Sequence, residues 1–460
     1  MQQPPHVPAP APQAVSTPTG ARFPGPLSAA LLAELDQYVR AEPRPFALDL
    51  RRCLGMFLVT VDGQELFDWA GYFGAKLIAH NHPRLYEPAY AERLLTAANN
   101  KIANPDFLTP ECVAYYRTLY DYAPRCMAGP ALEVYVVNSG AEAVENMMKY
   151  LINLHRERLL TAGKPEGVKR FVYFDQAFHG RTVFALNVTR LRQDPTMTKD
   201  FHGIVPSNVQ VPFPYLDTSR PIAESETRAA ESLTTIEAVL REHGDEVVAV
   251  LAEPLQGAGG HRMAPPGFFA QLSALCQRYH TQIGFDEVQT AGGQTGTFFA
   301  VDGLDLPFAP QAVASGKKLG NGVVYMQRTM TDRGILDSTW GGTLADMVRF
   351  VQEMEIIRAE GLLDAVPQKA ARLTTLLQQL VSDFPALGYN VRGLGLYQGF
   401  SLRQAEHKRL LVQRALEQEQ LLLLGAGTRS IRLRPHLNVT EADIDELLVR
   451  LRRLFVGLDR

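Results

Sequence analysis

The sequence predicts an α/β protein: a large domain on a mostly parallel sheet, joined to a smaller α+β domain. Three observations carry this expectation. Between residues 90 and 345, short apolar runs (Glu133–Val137, Phe171–Phe174, Val247–Ala252, Ile283–Phe285) alternate with longer helical segments, the pattern of strands covered on both faces. Each run ends in polar or glycine-rich residues, and sheets of this kind place ligands at the carboxyl ends of their strands. Beyond Gly341 helical periodicity dominates.

Taken in order, residues 1–27 are rich in Pro, Ala and Gln without apolar periodicity, and read as a mobile tail. A helix is expected from about Ser28, with Leu31, Leu32, Leu35 and Tyr38 as its apolar face. Gly55 to Ala70 alternates loosely around Asp62-Gly63, the signature of a hairpin. Residues 28–89 are assigned to the small domain, 90–345 to the large one, and 346–460 to the rest of the small domain. In that last part Met347–Ile357 and Val366–Leu380 have helical spacing, and Thr440 with Asp443 resembles a capping box that opens the final helix.

The chain has 460 residues, is 46% hydrophobic and 21% charged, and can bury a substantial core. A net charge of −3 gives no electrostatic case for nucleic acid or an anionic membrane. There is no apolar stretch long enough to cross a bilayer and no signal-like start. Cys53, Cys112, Cys126 and Cys276 are widely separated and read as buried free thiols rather than metal ligands or disulfides. A cytoplasmic enzyme is expected.

Three segments carry candidate chemistry. Phe285-Asp286-Glu287-Val288-Gln289 delivers an acid at the end of an apolar strand. Asp286 can either cap the next helix or pair with a cationic group. Ser315-Gly316-Lys317-Lys318 follows the small-residue strand Ala312–Ala314, and a double lysine in a polar loop is ordinarily solvated. Asn138-Ser139-Gly140-Ala141-Glu142 turns a strand directly into a helix, so it is either a serine-capped start or an anion site at free N–H groups. Together they match what pyridoxal phosphate needs: a lysine amine for a Schiff base, a carboxylate for the ring nitrogen, and phosphate donors.

These segments, with Phe178-His179-Gly180-Arg181, Glu253-Pro254-Leu255-Gln256-Gly257 and Ser338-Thr339-Trp340-Gly341-Gly342, occur in an order that resembles the class III (omega) aminotransferases. Within that class, Asn104-Pro105-Asp106, Gly316-Lys317-Lys318, Thr339-Trp340-Gly341-Gly342 and Ser430-Ile431-Arg432-Leu433-Arg434-Pro435 look most like the L-lysine 6-aminotransferases. The resemblance implies fold type I and pyridoxal 5'-phosphate on Lys317. Asp286 would hold the ring nitrogen and Gln289 the ring hydroxyl, while Val288 and Phe178 sandwich the ring. Ser139, Gly140 and Ala141 would bind the phosphate, and Thr339 would reach the phosphate of the other subunit in a homodimer. Arg181 and Arg432 would hold substrate carboxylates, with Glu253 nearby.

The family's ornithine, lysine and 4-aminobutyrate members usually carry a glutamate five residues beyond the one in Glu253-Pro254. That glutamate neutralises the C-terminal arginine while the diamino donor is bound. Here the position is Ala258, and the stretch from Met326 to Ser338 is shorter than in lysine 6-aminotransferases. The implied reaction moves a terminal amino group, first choice the 6-amino group of L-lysine, to a 2-oxo acid such as 2-oxoglutarate. Alternatives are an ornithine, diamine, or β- or γ-amino acid donor with pyruvate as acceptor, a racemase, or a non-catalytic cofactor-binding protein.

Overall fold

Six consecutive apolar residues, Val247–Ala252, are buried along their whole length, which requires helices or loops on both faces of the strand. The computed structural model describes residues 23–39, 45–201 and 203–459. The expected tail falls mostly on residues 1–22, outside the described residues.

In chain order the strands begin with β1 (Phe57–Val59) and β2 (Glu65–Asp68), followed by β3 (Glu133–Val137), β4 (Arg170–Phe174), β5 (Val209–Val211) and β6 (Val247–Ala252). A two-residue pair, β7 (Leu255–Gln256) and β8 (Arg262–Met263), precedes β9 (Gln282–Asp286), β10 (Ala312–Ser315) and β11 (Gly322–Met326). The large sheet has seven strands in the order β3-β11-β10-β9-β6-β4-β5. It is parallel except for β11, which runs antiparallel to both β10 and β3. A mostly parallel sheet was expected, and β11 is its one exception. The turn from β10 to β11 is too short for a helical crossover, so the chain must reverse there.

The hairpin is present: β1 and β2 pair with Phe57 opposite Phe67, and Gly63 takes the left-handed conformation its turn requires (φ +82). The C-terminal part supplies β12 (Gly388–Leu394), β13 (Tyr397–Leu402), β14 (Leu421–Leu422), β15 (Leu424–Ala426) and β16 (Ser430–Arg432). Four of these form the sheet β12-β13-β16-β15, and β14 joins the hairpin beside β2, so both chain ends build one layer. Helices Leu344–Ala359 and Val366–Asp383 lie where periodicity placed them, and Thr440 with Asp443 makes both bonds of a capping box on helix Glu441–Leu458.

Two expectations are corrected. The first helix starts at Pro26, and among its residues only Ser28 is buried. Leu31 is 47% and Tyr38 76% exposed while Leu32 and Leu35 are half-buried, so the described residues cover the apolar stripe only in part. The Asp62 carboxylate anchors the helix instead, by accepting the N–H groups of Leu27 and Ser28. The four thiols are free, but Cys126 is only half-buried.

Candidate active site

Strand register brings the first two candidates together. Asp286 ends β9 opposite Ala314 of β10, and Lys317 follows β10 by two residues, so both stand at the carboxyl end of the sheet. Lys317 is held at φ +48, a strained value for a side-chain-bearing residue. Its Nζ reaches the carbonyl of Phe73 (3.4 Å) and opens into a cavity of about 710 Å³.

The adjacent lysine has a different fate. Lys318 is buried, with Nζ donating to the Gln289 carbonyl (2.6 Å), the Gly74 carbonyl (3.3 Å) and the Tyr397 hydroxyl (2.7 Å). Three acceptors satisfy its three N–H bonds. Of the two amines, that of Lys317 is the one at the cavity.

Asp286 accepts the Val288 N–H on one oxygen (2.9 Å) and bonds His179 Nδ1 through the other (2.8 Å). It closes a turn and also bonds the His179 imidazole. Burial pulls the His179 imidazole down, but the bond to Asp286 and the charges of Asp286 and Glu253 outweigh it and leave the pKa raised. Its Nε2 is buried without a partner. His179 was quoted in a motif without a role; its place immediately after Phe178 was the available signal.

Helix Gly140–Thr161 points its N-terminus at the same cavity. Ser139 is exposed and caps the helix by accepting the Glu142 N–H (3.2 Å), while Gly140 and Ala141 line the cavity with N–H groups that have no intrahelical acceptor. A Cβ on Gly140 would lie 2.6 Å from Val288 Cγ1, and one on Gly316 would lie 3.1 Å from the Gly140 Cα. The segments carrying Gly140, Val288 and Lys317 are thus packed against one another, with glycine at the points of closest approach.

Phe178, Val288, Gln289, Glu253, Arg181, Arg432 and Ala258 also line this cavity. Gln289 Oε1 accepts two bonds from Arg434, from Nε (3.2 Å) and Nη2 (3.0 Å). Arg434 is fully buried, also bonds His261 Nδ1 (3.0 Å), and stacks over the Tyr397 ring. Burial, then the charge of Arg432, hold its pKa down to about 9. No role for Arg434 was expected from the sequence, where an arginine two residues past another on a strand carries no signal.

Arg432 is 7% exposed, and its Nε and Nη1 have no hydrogen-bond partner. Burial brings its pKa down to about 10, opposed by the charge of Glu253. Glu253 is buried, accepts the Phe178 N–H (3.0 Å), and is pushed up to about 7 by burial and the charge of Asp286, with His179 opposing. Burial and the charge of Arg432 lower Lys317, with Asp286 opposing. Arg181 is exposed at the rim.

Two candidates lie outside the lining of this chain's own cavity: Ser139, exposed at the helix cap just before Gly140, and Thr339. Thr339 is exposed, beside Trp340, whose carbonyl receives the N–H and side-chain amide of Asn104. Among the described residues there is no metal-binding cluster and no helix long and apolar enough to cross a membrane.

The residues present fit pyridoxal phosphate: an amine in the cavity, a buried carboxylate opposite, and free amides at a helix N-terminus. The profile of the family "Aminotransferase class-III" matches residues 38–455. An L-lysine-epsilon aminotransferase of Mycobacterium tuberculosis is 34% identical over 419 residues, 88% of this chain and 90% of that protein. Another, from Amycolatopsis lactamdurans, is 31% identical over 445 residues, 94% of this chain and 97% of that one. The structure of the M. tuberculosis lysine aminotransferase in its internal aldimine form superposes with a TM-score of 0.87 at 30% identity, covering 94% of this chain and 99% of that one. With that match running almost end to end and its motifs gathered on one cavity, the chain belongs to the class III aminotransferases, enzymes that work with pyridoxal phosphate.

Proposed function

We propose that this enzyme moves the 6-amino group of L-lysine to a 2-oxo acid such as 2-oxoglutarate. The observation that carries the proposal is the unpartnered Arg432 guanidinium in the wall of the cavity that receives Lys317. A buried cation costs several kcal/mol, on the order of 3 or more, unless an anion meets it, and a substrate carboxylate supplies that anion. The names of the relatives support lysine as donor.

Lys317 would hold the cofactor through Nζ. When bound, pyridoxal phosphate supplies an electron sink for the carbon that loses a proton. Burial lowers the Lys317 amine, which favours the neutral form able to take a proton at Nζ and return it. Asp286 would hold the protonated ring nitrogen, its carboxyl group oriented by His179 and the Val288 N–H. The Gly140 and Ala141 amides, beside Ser139, would face the phosphate. Phe178 and Val288 would enclose the ring. Because Arg434 occupies the Gln289 oxygen, Gln289 has its amide N–H groups left to donate to the ring hydroxyl. Arg181 would take the carboxylate at the far end of the donor.

Thr339, exposed and away from its own cavity, supports a homodimer in which it serves the partner's phosphate. The layer shared by β2 and β14 supports a small domain drawn from residues 28–89 and 346–460. The four free thiols support a cytoplasmic location. Ala258 favours one second reading, a β- or γ-amino acid donor with pyruvate as acceptor, because such a donor brings its own carboxylate to Arg432 where Ala258 offers none.

The test is glutamate formation from L-lysine and 2-oxoglutarate by the purified enzyme, beside a panel of those donors and pyruvate. Turnover with another donor and none with L-lysine would overturn the proposal.

A further inference from the structure

In a terminal-amine aminotransferase the two half-reactions make opposite demands on Arg432. A 2-oxo dicarboxylic acid brings a carboxylate to it, whereas the terminal-amine end of the donor brings none. Ala258 has no charge to alternate with, and Arg432 has no ion pair or hydrogen bond on Nε or Nη1. The cavity wall offers few other acids. Asp194 is at the rim, taking the Thr196 hydroxyl, and Asp286 is held by His179. Glu253 remains. It cannot swing as a mobile glutamate would, because it is buried at the end of β6 and pinned by the Phe178 N–H at 3.0 Å.

We propose that Glu253 is the charge-compensating residue for Arg432, and that it alternates by gaining and losing a proton in place. Ionised, it balances Arg432 while a donor without a nearby carboxylate is bound. When a substrate carboxylate docks on Arg432, Glu253 takes a proton from solvent and the net charge of the pocket is conserved. The charged groups that share its cavity and act on it or feel its charge are His179 in the loop after β4, Asp286 at the end of β9, Lys317 after β10, and Arg432 on β16. Burial together with Asp286 pushes its pKa up to about 7, so the change falls within the working range.

The inference rests on a donor whose reacting end lacks a carboxylate, and its test is separable from that reading. The probe is glutarate, fully ionised above pH 6, titrated into the holoenzyme by calorimetry in buffers of different ionisation enthalpy. Glutarate binding should take up as much as about three-quarters of a proton at about pH 7.5, and affinity should weaken toward about tenfold per pH unit above 7. Glu253→Gln should bind glutarate with no such dependence and lose that uptake, while Glu253→Asp, which still titrates, should retain it. Circular dichroism and cofactor absorbance establish that each variant is folded and loaded. Equal proton uptake by wild type and Glu253→Gln overturns the proposal, as does pH-independent affinity in the wild type. Failure of the lysine donor would instead show as absent glutamate formation with these binding results unchanged.

Discussion

Two neighbouring lysines on one loop have opposite surroundings, and this difference sets the first prediction. Lys317 has one long bond and an open cavity; Lys318 has three acceptors and no room. Lys317→Ala should abolish transamination and the absorbance of lysine-linked cofactor while leaving thermal stability nearly unchanged. Lys318→Met should keep the linked absorbance and lose stability by about 1–3 kcal/mol, the cost of stranding buried carbonyls. Absorbance spectra and denaturant unfolding of both variants check this, and a reversed result would exchange the two roles. The sequence favoured Lys317 only by its place after the small residue Gly316. The bonds of Lys318 to Gly74 and Tyr397, 244 and 79 residues away, lay beyond any local reading.

At the level of elements, the site is a meeting of strand ends with one helix N-terminus. The chemistry of the Asn138–Glu142 turn could be read locally, since glycine after a cap and before an apolar helix has a defined backbone meaning. Why the glycine is required is a packing fact: a methyl at Gly140 would collide with Val288 at 2.6 Å. Gly140→Ala should therefore displace Val288, proposed to face the cofactor ring, as well as crowd the proposed phosphate site. Cofactor retention measured by equilibrium dialysis should weaken by at least about tenfold, roughly 1.4 kcal/mol, with the fold retained by circular dichroism. Unchanged retention would remove the close approach from the account of this site. The first helix shows the opposite limit of local reading. Its leucines have helical spacing, but spacing cannot say what lies opposite, and the described residues cover that face only in part.

For the whole molecule, the shared-site reading makes its own prediction. Lys317→Ala subunits mixed with subunits carrying Thr339→Asp, whose carboxylate would repel a phosphate, should regain about a quarter of wild-type activity, because hybrid dimers hold one intact site. Mass spectrometry verifies subunit exchange, and exchange without recovery would make Thr339 a local structural residue. What the sequence determined by itself was the alternation of buried strands and helices, the capping box at Thr440, the order of the motifs, and through them the family and its cofactor. These are local properties, set by side-chain periodicity and by residue types whose backbone or chemical demands are short in range. What only the tertiary structure decided was the company each residue keeps: Arg434 on Gln289, His179 on Asp286, Lys318 tied to three distant elements, and Arg432 in the cavity wall with Nε and Nη1 unpartnered. Burial in a low-dielectric interior gives those groups their altered acidities and their cost when unpaired, and burial belongs to the assembled fold rather than to any segment of the chain.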